Sequence, residues 1–259
     1  MTTLLETHGL TKRFDGLLAV DDLDLRVDEG EIFGLIGPNG SGKTTTLHLL
    51  TGFLRPTGGT VRYEGREVER LRPSVRASQG LVRTFQLTNV FFTFTALDNV
   101  RHTQHLHASD SVLSSIFQTP GYRAERRRLR ARAHELLELV GLAPERRDVL
   151  AGNLSAGEQR RLEVAMALAA DPRLLLLDEP ASGLNIEETQ ELEGVVTELR
   201  DRGITVILVE HNMRMVLGLC TRIAVLNFGS KIADGTPAEI SADESVVTAY
   251  LGARRDAQG

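Results

Sequence analysis

Residues 37–44 read Gly-Pro-Asn-Gly-Ser-Gly-Lys-Thr, and no other stretch of the chain limits its fold so tightly. They fit the pattern G-x-x-x-x-G-K-[ST], which chance would supply only about 0.003 times in a chain of this composition. A strand-like run, Glu31 to Ile36, feeds into them. Gly42 to Thr51 follows with helical composition, Leu47 and Leu50 lying three apart. In that strand–loop–helix setting, glycines let consecutive backbone N–H groups converge on phosphate oxygens, and the helix adds its positive N-terminal end. Lys43 supplies a point charge for the β- and γ-phosphates, and Thr44 offers a hydroxyl to Mg²⁺. The expectation is a nucleotide-binding α/β protein.

The rest of the chain agrees with that class. Leu23 to Val27 alternates apolar and charged residues, as a half-buried strand does. Thr60–Tyr63, Leu81–Phe85, Arg173–Leu177, Ile204–Val209 and Ile223–Leu226 are further strand candidates. Helical spacing connects Leu162, Ala165, Met166 and Ala169, and again Leu192, Val195, Val196 and Leu199. From about Thr95 to Leu142 strand character is scarce, and Tyr122 to Leu142 is a long charged helix pattern. Strands and helices at both ends thus flank a helical insertion, and Gly252 to Gly259 reads as a frayed tail.

Composition excludes several classes. With 41% apolar and 25% charged residues over 259 positions, the chain is neither disordered nor low in complexity. One cysteine makes no internal disulfide and no cysteine-based zinc site, which points to a reducing compartment. Met1 to Asp15 shows no secretory signal, and no apolar run approaches the roughly 20 residues that span a bilayer. Any membrane role therefore needs a partner. A formal charge of −5 argues against a protein built around nucleic-acid backbones.

Two further motifs carry chemistry. Leu174 to Leu177 is a buried-type strand ending in Asp178 and Glu179. Asp178 would orient a metal ion, through water, opposite the phosphate loop. Glu179, the next residue, could polarise an attacking water. Leu154-Ser155-Ala156-Gly157-Glu158 opens the helix that contains Leu162. It reads either as a plain S-x-x-E capping box or as a second phosphate-binding surface made by Ser155, the Gly157 backbone and the helix N-terminus.

These three motifs, in this order, resemble the ATP-binding cassette (ABC) family of transport ATPases, from about Leu4 to Gly252. The signature L-S-G-G-Q of that family appears here with Ala156 for Gly and Glu158 for Gln. The resemblance implies a P-loop NTPase core with an antiparallel β N-terminal subdomain and an inserted α-helical signature subdomain at about 88–160. Residues 1–252 would form one ATPase domain and 253–259 a tail. Pro38, Asn39, Gly40, Ser41 and Thr45 would complete the loop around Gly37, Gly42, Lys43 and Thr44. Gln86 would sense Mg²⁺ and couple to the membrane subunit, with Thr44 and Asp178 as the other metal-facing groups. His211 would contact the γ-phosphate as a switch beside the catalytic Glu179. Phe14 is either a core residue or the aromatic that stacks on adenine. Asn185 stands where most members have Asp, in the loop that makes the usual cross-subunit contact, and its amide can still hydrogen-bond there.

In such a family the signature of one copy closes over the phosphate loop of another, bringing Ser155, Gly157 and Glu158 to the second copy's ATP. The resemblance thus implies ATP and Mg²⁺ as cofactors and a homo- or heterodimer of cassettes on integral membrane permease subunits. A solute-binding protein would take part indirectly. The location would be cytoplasmic, peripheral on the inner face of the membrane. Arg83-Thr84-Phe85-Gln86, Gly183-Leu184-Asn185 and the ending Ala249-Tyr250-Leu251-Gly252 look like ATPases of branched-chain amino-acid uptake. Lipopolysaccharide exporters and soluble iron–sulfur assembly ATPases are the alternatives, the exporters usually having a shorter middle segment. His102, His105 and His107 lack the carboxylate or cysteine that would complete a metal site. The six arginines within Arg123–Arg132 read as a solvated helix face, with lipid headgroup or partner contact as the alternative, and Cys220 as a small buried residue.

Overall fold

The computed structural model describes residues 2–84, 90–107 and 120–256. It divides into two compact units: residues 1–82, 173–181 and 199–259 form the first, and residues 83–172 and 182–198 the second.

In the first unit, β1 (Thr3–Phe14) and β2 (Leu17–Asp28) form a long antiparallel hairpin. With β4 (Gly58–Tyr63) and β5 (Arg66–Glu67) they make a four-stranded sheet of order β2-β1-β4-β5. The second sheet has the order β10-β9-β3-β8-β7-β6. Its members are β3 (Ile32–Ile36), β6 (Leu81–Arg83), β7 (Leu174–Asp178), β8 (Thr205–Val209), β9 (Arg222–Asn227) and β10 (Ser230–Gly235). β3 pairs in parallel with both β8 and β9, and β7 with β8. Parallel strands are covered on both faces and so read as continuous apolar runs. Ile32, Phe33, Leu35 and Ile36 are fully buried, as are Leu174 to Leu177. Phe33, Leu35, Leu174 and Leu176 share one core with Leu5, Leu23 and Val61 of the other sheet and with Leu47 and Leu50 of α1 (Lys43–Thr51). Truncating any one of these leucines to alanine costs about 2–5 kcal/mol.

Arg76, in the short α2 (Pro73–Ser78), fixes the far end of α1. Its Nη1 donates to the carbonyls of Leu49 at 2.8 Å and Leu50 at 2.5 Å, satisfying acceptors that a helix terminus leaves orphaned. The guanidinium is buried, and burial pushes its pKa down to about 10.

The second unit is helical: α3 (Ala96–His107), α4 (Pro120–Leu139), α5 (Ala156–Leu168) and the first turns of α6 (Ile186–Asp201). α3 packs on α4 and α5. Ala133, Leu136 and Leu137 of α4 and Val140 beyond it are buried, while the described arginines from Arg126 to Arg132 remain exposed, as expected of a solvated face. Buried Asn99 anchors the turn before α3, accepting from Phe91 N at 2.8 Å and donating to Thr95 O at 2.9 Å.

Back in the first unit, α7 (Met213–Leu219) lies between β8 and β9, and α8 (Pro237–Ala242) and α9 (Glu244–Asp256) follow β10. Three expectations need correction. The N-terminal strands are much longer than Leu23–Val27, because β-bulges in β1 break the alternation that marks a strand. Leu81–Arg83 is the strand observed of Leu81–Phe85, whose last residue lies outside the described residues. The tail is helical through Asp256, since Ala253, Arg254 and Arg255 are good helix formers that carry α9 past Gly252. Among the described residues no helix is long and apolar enough to cross a membrane.

Candidate functional site

The phosphate loop sits at the carboxyl end of β3, between β8 and β9, which both run parallel to it; ligands bind in crevices outside the carboxyl ends of such strands. The loop leaves the strand at Gly37, φ 153°. A Cβ there would lie 2.2 Å from Leu226 O and 2.6 Å from Ser41 Oγ, so only glycine fits. Lys43 follows at the start of α1 and is 6% exposed. Its Nζ donates to Gly37 O at 2.8 Å and Pro38 O at 3.0 Å, which holds the ammonium curled inside the loop. Burial draws its pKa below the usual lysine value, opposed by the carboxylates of Glu179 and Asp178. Thr44 is exposed and Thr45 half-buried.

Above the loop is a cleft of about 410 Å³. Asn39 to Thr45 line it, with Phe14, Leu17 and Phe228 as apolar groups and Glu179 and His211 as titratable ones. Phe14 is 40% exposed, which places it in the cleft rather than in the core, and Lys12 Nζ lies 4.9 Å from its ring centre. Phe228 and Gly229, both at positive φ, form the two-residue turn between β9 and β10, and Gly229 N donates to Ser41 O at 3.0 Å.

Asp178 ends β7 and Glu179 follows in the left-handed region at φ 48°, a strained conformation for a non-glycine residue. Its backbone N–H donates to Val209 O at 2.8 Å, tying it to the end of β8. His211, two residues beyond β8, places Nε2 2.8 Å from Glu179 Oε1. With the carboxylate ionised, the Nε2–H tautomer is the donor. Thr44 and Asp178 offer a hydroxyl and a carboxylate, the hard oxygen donors that suit Mg²⁺. Gln86 lies outside the described residues.

Ser155, Gly157 and Glu158 do not line the cleft; they form an arrangement of their own in the second unit. The capping box is complete: Glu158 N donates to Ser155 Oγ at 3.2 Å and Ser155 N to Glu158 Oε2 at 2.8 Å. Arg146 grips the same carboxylate with two bonds of 2.6 Å, and that pair holds the Glu158 pKa below its ordinary value. The remaining donors face Glu188. Ser155 Oγ donates to Glu188 Oε1 at 3.1 Å and Gly157 N donates to the same oxygen at 3.0 Å. A Cβ on Gly157 would meet Glu188 Cγ at 2.7 Å. Glu188 also closes a capping box with Asn185, whose amide oxygen accepts from Glu188 N at 2.9 Å. The amide of Asn185 therefore does the capping work that an aspartate would do.

Sequence reasoning missed Arg146, Glu188, Phe228 and Glu210. Glu210, at the end of β8, is 3% exposed, and its carboxylate accepts backbone N–H groups from Ala181, His211 and Asn212. A charge directly after four apolar residues, Val206 to Val209, was its available signal. Among the described residues no cluster of three or more His, Cys, Asp or Glu could hold a metal ion on its own; His102 instead packs edge-on against Phe91 and Phe94. Cys220 is 6% exposed, and burial pushes its thiol up to about 12.

Residues 20–182 match the ABC transporter family. The chain belongs to that family. The cassette also matches the branched-chain amino acid ATP-binding cassette transporter family over residues 230–256. It is 44% identical over 250 residues, 96% of this chain and 98% of the relative, to the high-affinity branched-chain amino acid transport ATP-binding protein BraF of Pseudomonas aeruginosa. Identity is 37% over 252 residues, 97% and 98% of the two chains, to the lipopolysaccharide export system ATP-binding protein LptB of Acidithiobacillus ferridurans. The ADP conformation of MJ1267, an ATP-binding cassette of an ABC transporter, matches with a TM-score of 0.84 at 29% identity, covering 97% of this chain and 100% of that one. The expected α/β cassette fold is thus the observed one, and the cassette is a nucleotide-binding ATPase coupled to transport.

Proposed function

We propose that this cassette powers import of branched-chain amino acids, hydrolysing Mg·ATP as one of a pair of cassettes held by permease subunits on the inner face of the membrane. The observation that carries the ATPase half is the cleft. It joins the phosphate loop, buried Lys43 and the 2.8 Å pair of Glu179 and His211. The family match at residues 230–256 and the 44% identity to BraF support the solute class, and the lower identity to LptB ranks lipopolysaccharide export second.

The residues of the chain divide the work. Lys43 exchanges its two loop carbonyls for phosphate oxygens, while the loop amides and the α1 N-terminus supply further positive potential. Phe14, exposed in the cleft, offers its ring to the base. Thr44, Asp178 and Gln86 would hold Mg²⁺, which supplies charge neutralisation at the terminal phosphates when bound. Glu179 accepts a proton from the attacking water as its oxygen bonds to the γ-phosphorus and the bond to ADP breaks. His211 holds the Glu179 carboxylate through Nε2–H and would pass that donor to the γ-phosphate when nucleotide is bound. Ser155 and the Gly157 amide serve the ATP of a second cassette, so residues 1–252 act as one domain but in pairs.

Glu179→Gln keeps the volume and removes the base. The expected result is unchanged ATP binding, an ATP-trapped dimer by gel filtration, and turnover lower by about 10²–10⁴-fold. Wild-type turnover in that variant would overturn the assignment. For the solute, deleting the gene should abolish growth on leucine as nitrogen source, and restoration by the intact chain alone would test the import reading. A deletion that spares uptake but disturbs the outer envelope would favour lipopolysaccharide export.

A further inference from the structure

We propose that Glu210 is a positioning residue for hydrolysis: its two carboxylate oxygens hold the two catalytic loops in register, one oxygen to each. The inference rests on the roles of Glu179 and His211 proposed above. A carboxylate buried to 3% exposure is unfavourable unless hydrogen bonds replace the water it has lost. Here backbone N–H groups do so, and they come from two places in the chain. Oε1 accepts from Ala181 N at 2.6 Å, two residues beyond Glu179. Oε2 accepts from His211 N at 3.0 Å and from Asn212 N at 3.3 Å.

The division between oxygens matters. A carboxylate has acceptors at both ends of its fork, whereas an amide has one oxygen and one NH₂. Glutamine at 210 could satisfy the Ala181 loop or the His211 loop, and would set its NH₂ against N–H donors of the other. The loops it would release are the ones that carry the reacting pair. Glu179 stands at φ 48°, a conformation that persists only where the surroundings over-determine it. Its own N–H is bonded to Val209 O on β8, directly before Glu210. The Asn212 side chain then caps α7 by accepting from Met215 N at 3.3 Å. Releasing one arm of Glu210 therefore loosens the 2.8 Å contact between Glu179 and His211 while leaving the phosphate loop and Lys43 untouched.

The test compares Glu210→Gln with the wild-type chain in the assembled transporter, reading kcat, KM for ATP, ATP affinity by calorimetry and melting temperature. Glu210→Gln should lower kcat by about 10- to 100-fold, the scale of an ångström-level misplacement, with KM and affinity within about twofold. In a His211→Ala background the same change should cost less than about twofold more, because the loss is routed through the pair. Should the amide variant not fold, Glu210→Asp, which keeps both oxygens on a shorter arm, is read the same way: lower kcat at unchanged KM. Unchanged kcat, a parallel loss of ATP affinity, or losses that multiply in the His211→Ala background would each overturn the proposal. If Glu179→Gln and His211→Ala themselves keep wild-type turnover, the catalytic reading fails and this proposal with it. If both lose turnover and Glu210→Gln keeps it, only the role of Glu210 is lost.

Discussion

Both units carry a set of donors suited to phosphate, and each set is already satisfied from within, by opposite means. In the first unit, Lys43 bonds to two neutral carbonyls of its own loop. In the second, Ser155 and the Gly157 amide bond to a full negative charge on Glu188. A phosphate that replaces carbonyls gains a charge-assisted bond where a neutral acceptor stood before. One that replaces a carboxylate exchanges an anion for an anion. On the proposed reading, the first seat would bind nucleotide tightly, and the second would accept a phosphate only when much else draws the cassettes together.

That contrast can be broken by substitution. Lys43→Ala should weaken ATP binding by about 10- to 100-fold, the worth of one or two charged hydrogen bonds, as calorimetry would read directly. Undiminished affinity would refute the cradle. Ser155→Ala should leave ATP affinity of the isolated cassette unchanged and lower turnover by about tenfold if, as proposed, its hydroxyl meets phosphate only across a pair. Glu188→Gln keeps an acceptor for the Gly157 amide but removes the charge, so the ATP concentration for half-maximal turnover should fall by roughly two- to fivefold. A rise would mean that Glu188 supports the seat instead of occupying it.

The smallest effect is in acid. The bonds from Arg146 depress the Glu158 pKa, so its stabilisation is present above the ordinary carboxylate value and is lost as pH falls through the lowered one. Glu158→Gln should therefore cost about 2 °C in melting temperature at pH 7 and nothing near pH 2, because the ion pair is partly solvent-screened. An equal deficit at both pH values would assign the loss to packing.

Much of this was legible in the chain itself, for physical reasons that differ by residue. The phosphate loop, the Leu174–Asp178 strand and the capping box at Ser155 are local patterns, and local rules decode them. The length of β1 was hidden because Gly9, at φ 58°, and the register shifts around it spoil the alternation. Glu188 looked like any acid in the first turn of a helix, where a carboxylate is favoured anyway. Only the fold brings it 31 positions back along the chain to the Gly157 amide. Glu210 gave no local signal of its burial, since burial of a charge is fixed by what packs around it and not by its neighbours in sequence.

Cys220 has a practical bearing. Its sulfur is enclosed, its thiolate is disfavoured up to about pH 12, and the chain has no other cysteine. Maleimides should therefore pass the native protein by at neutral pH, so a single thiol engineered on any exposed helix face becomes the sole attachment point for a fluorophore. Paired labels on two cassettes could then follow their approach and separation during turnover without first stripping the protein of its natural residue.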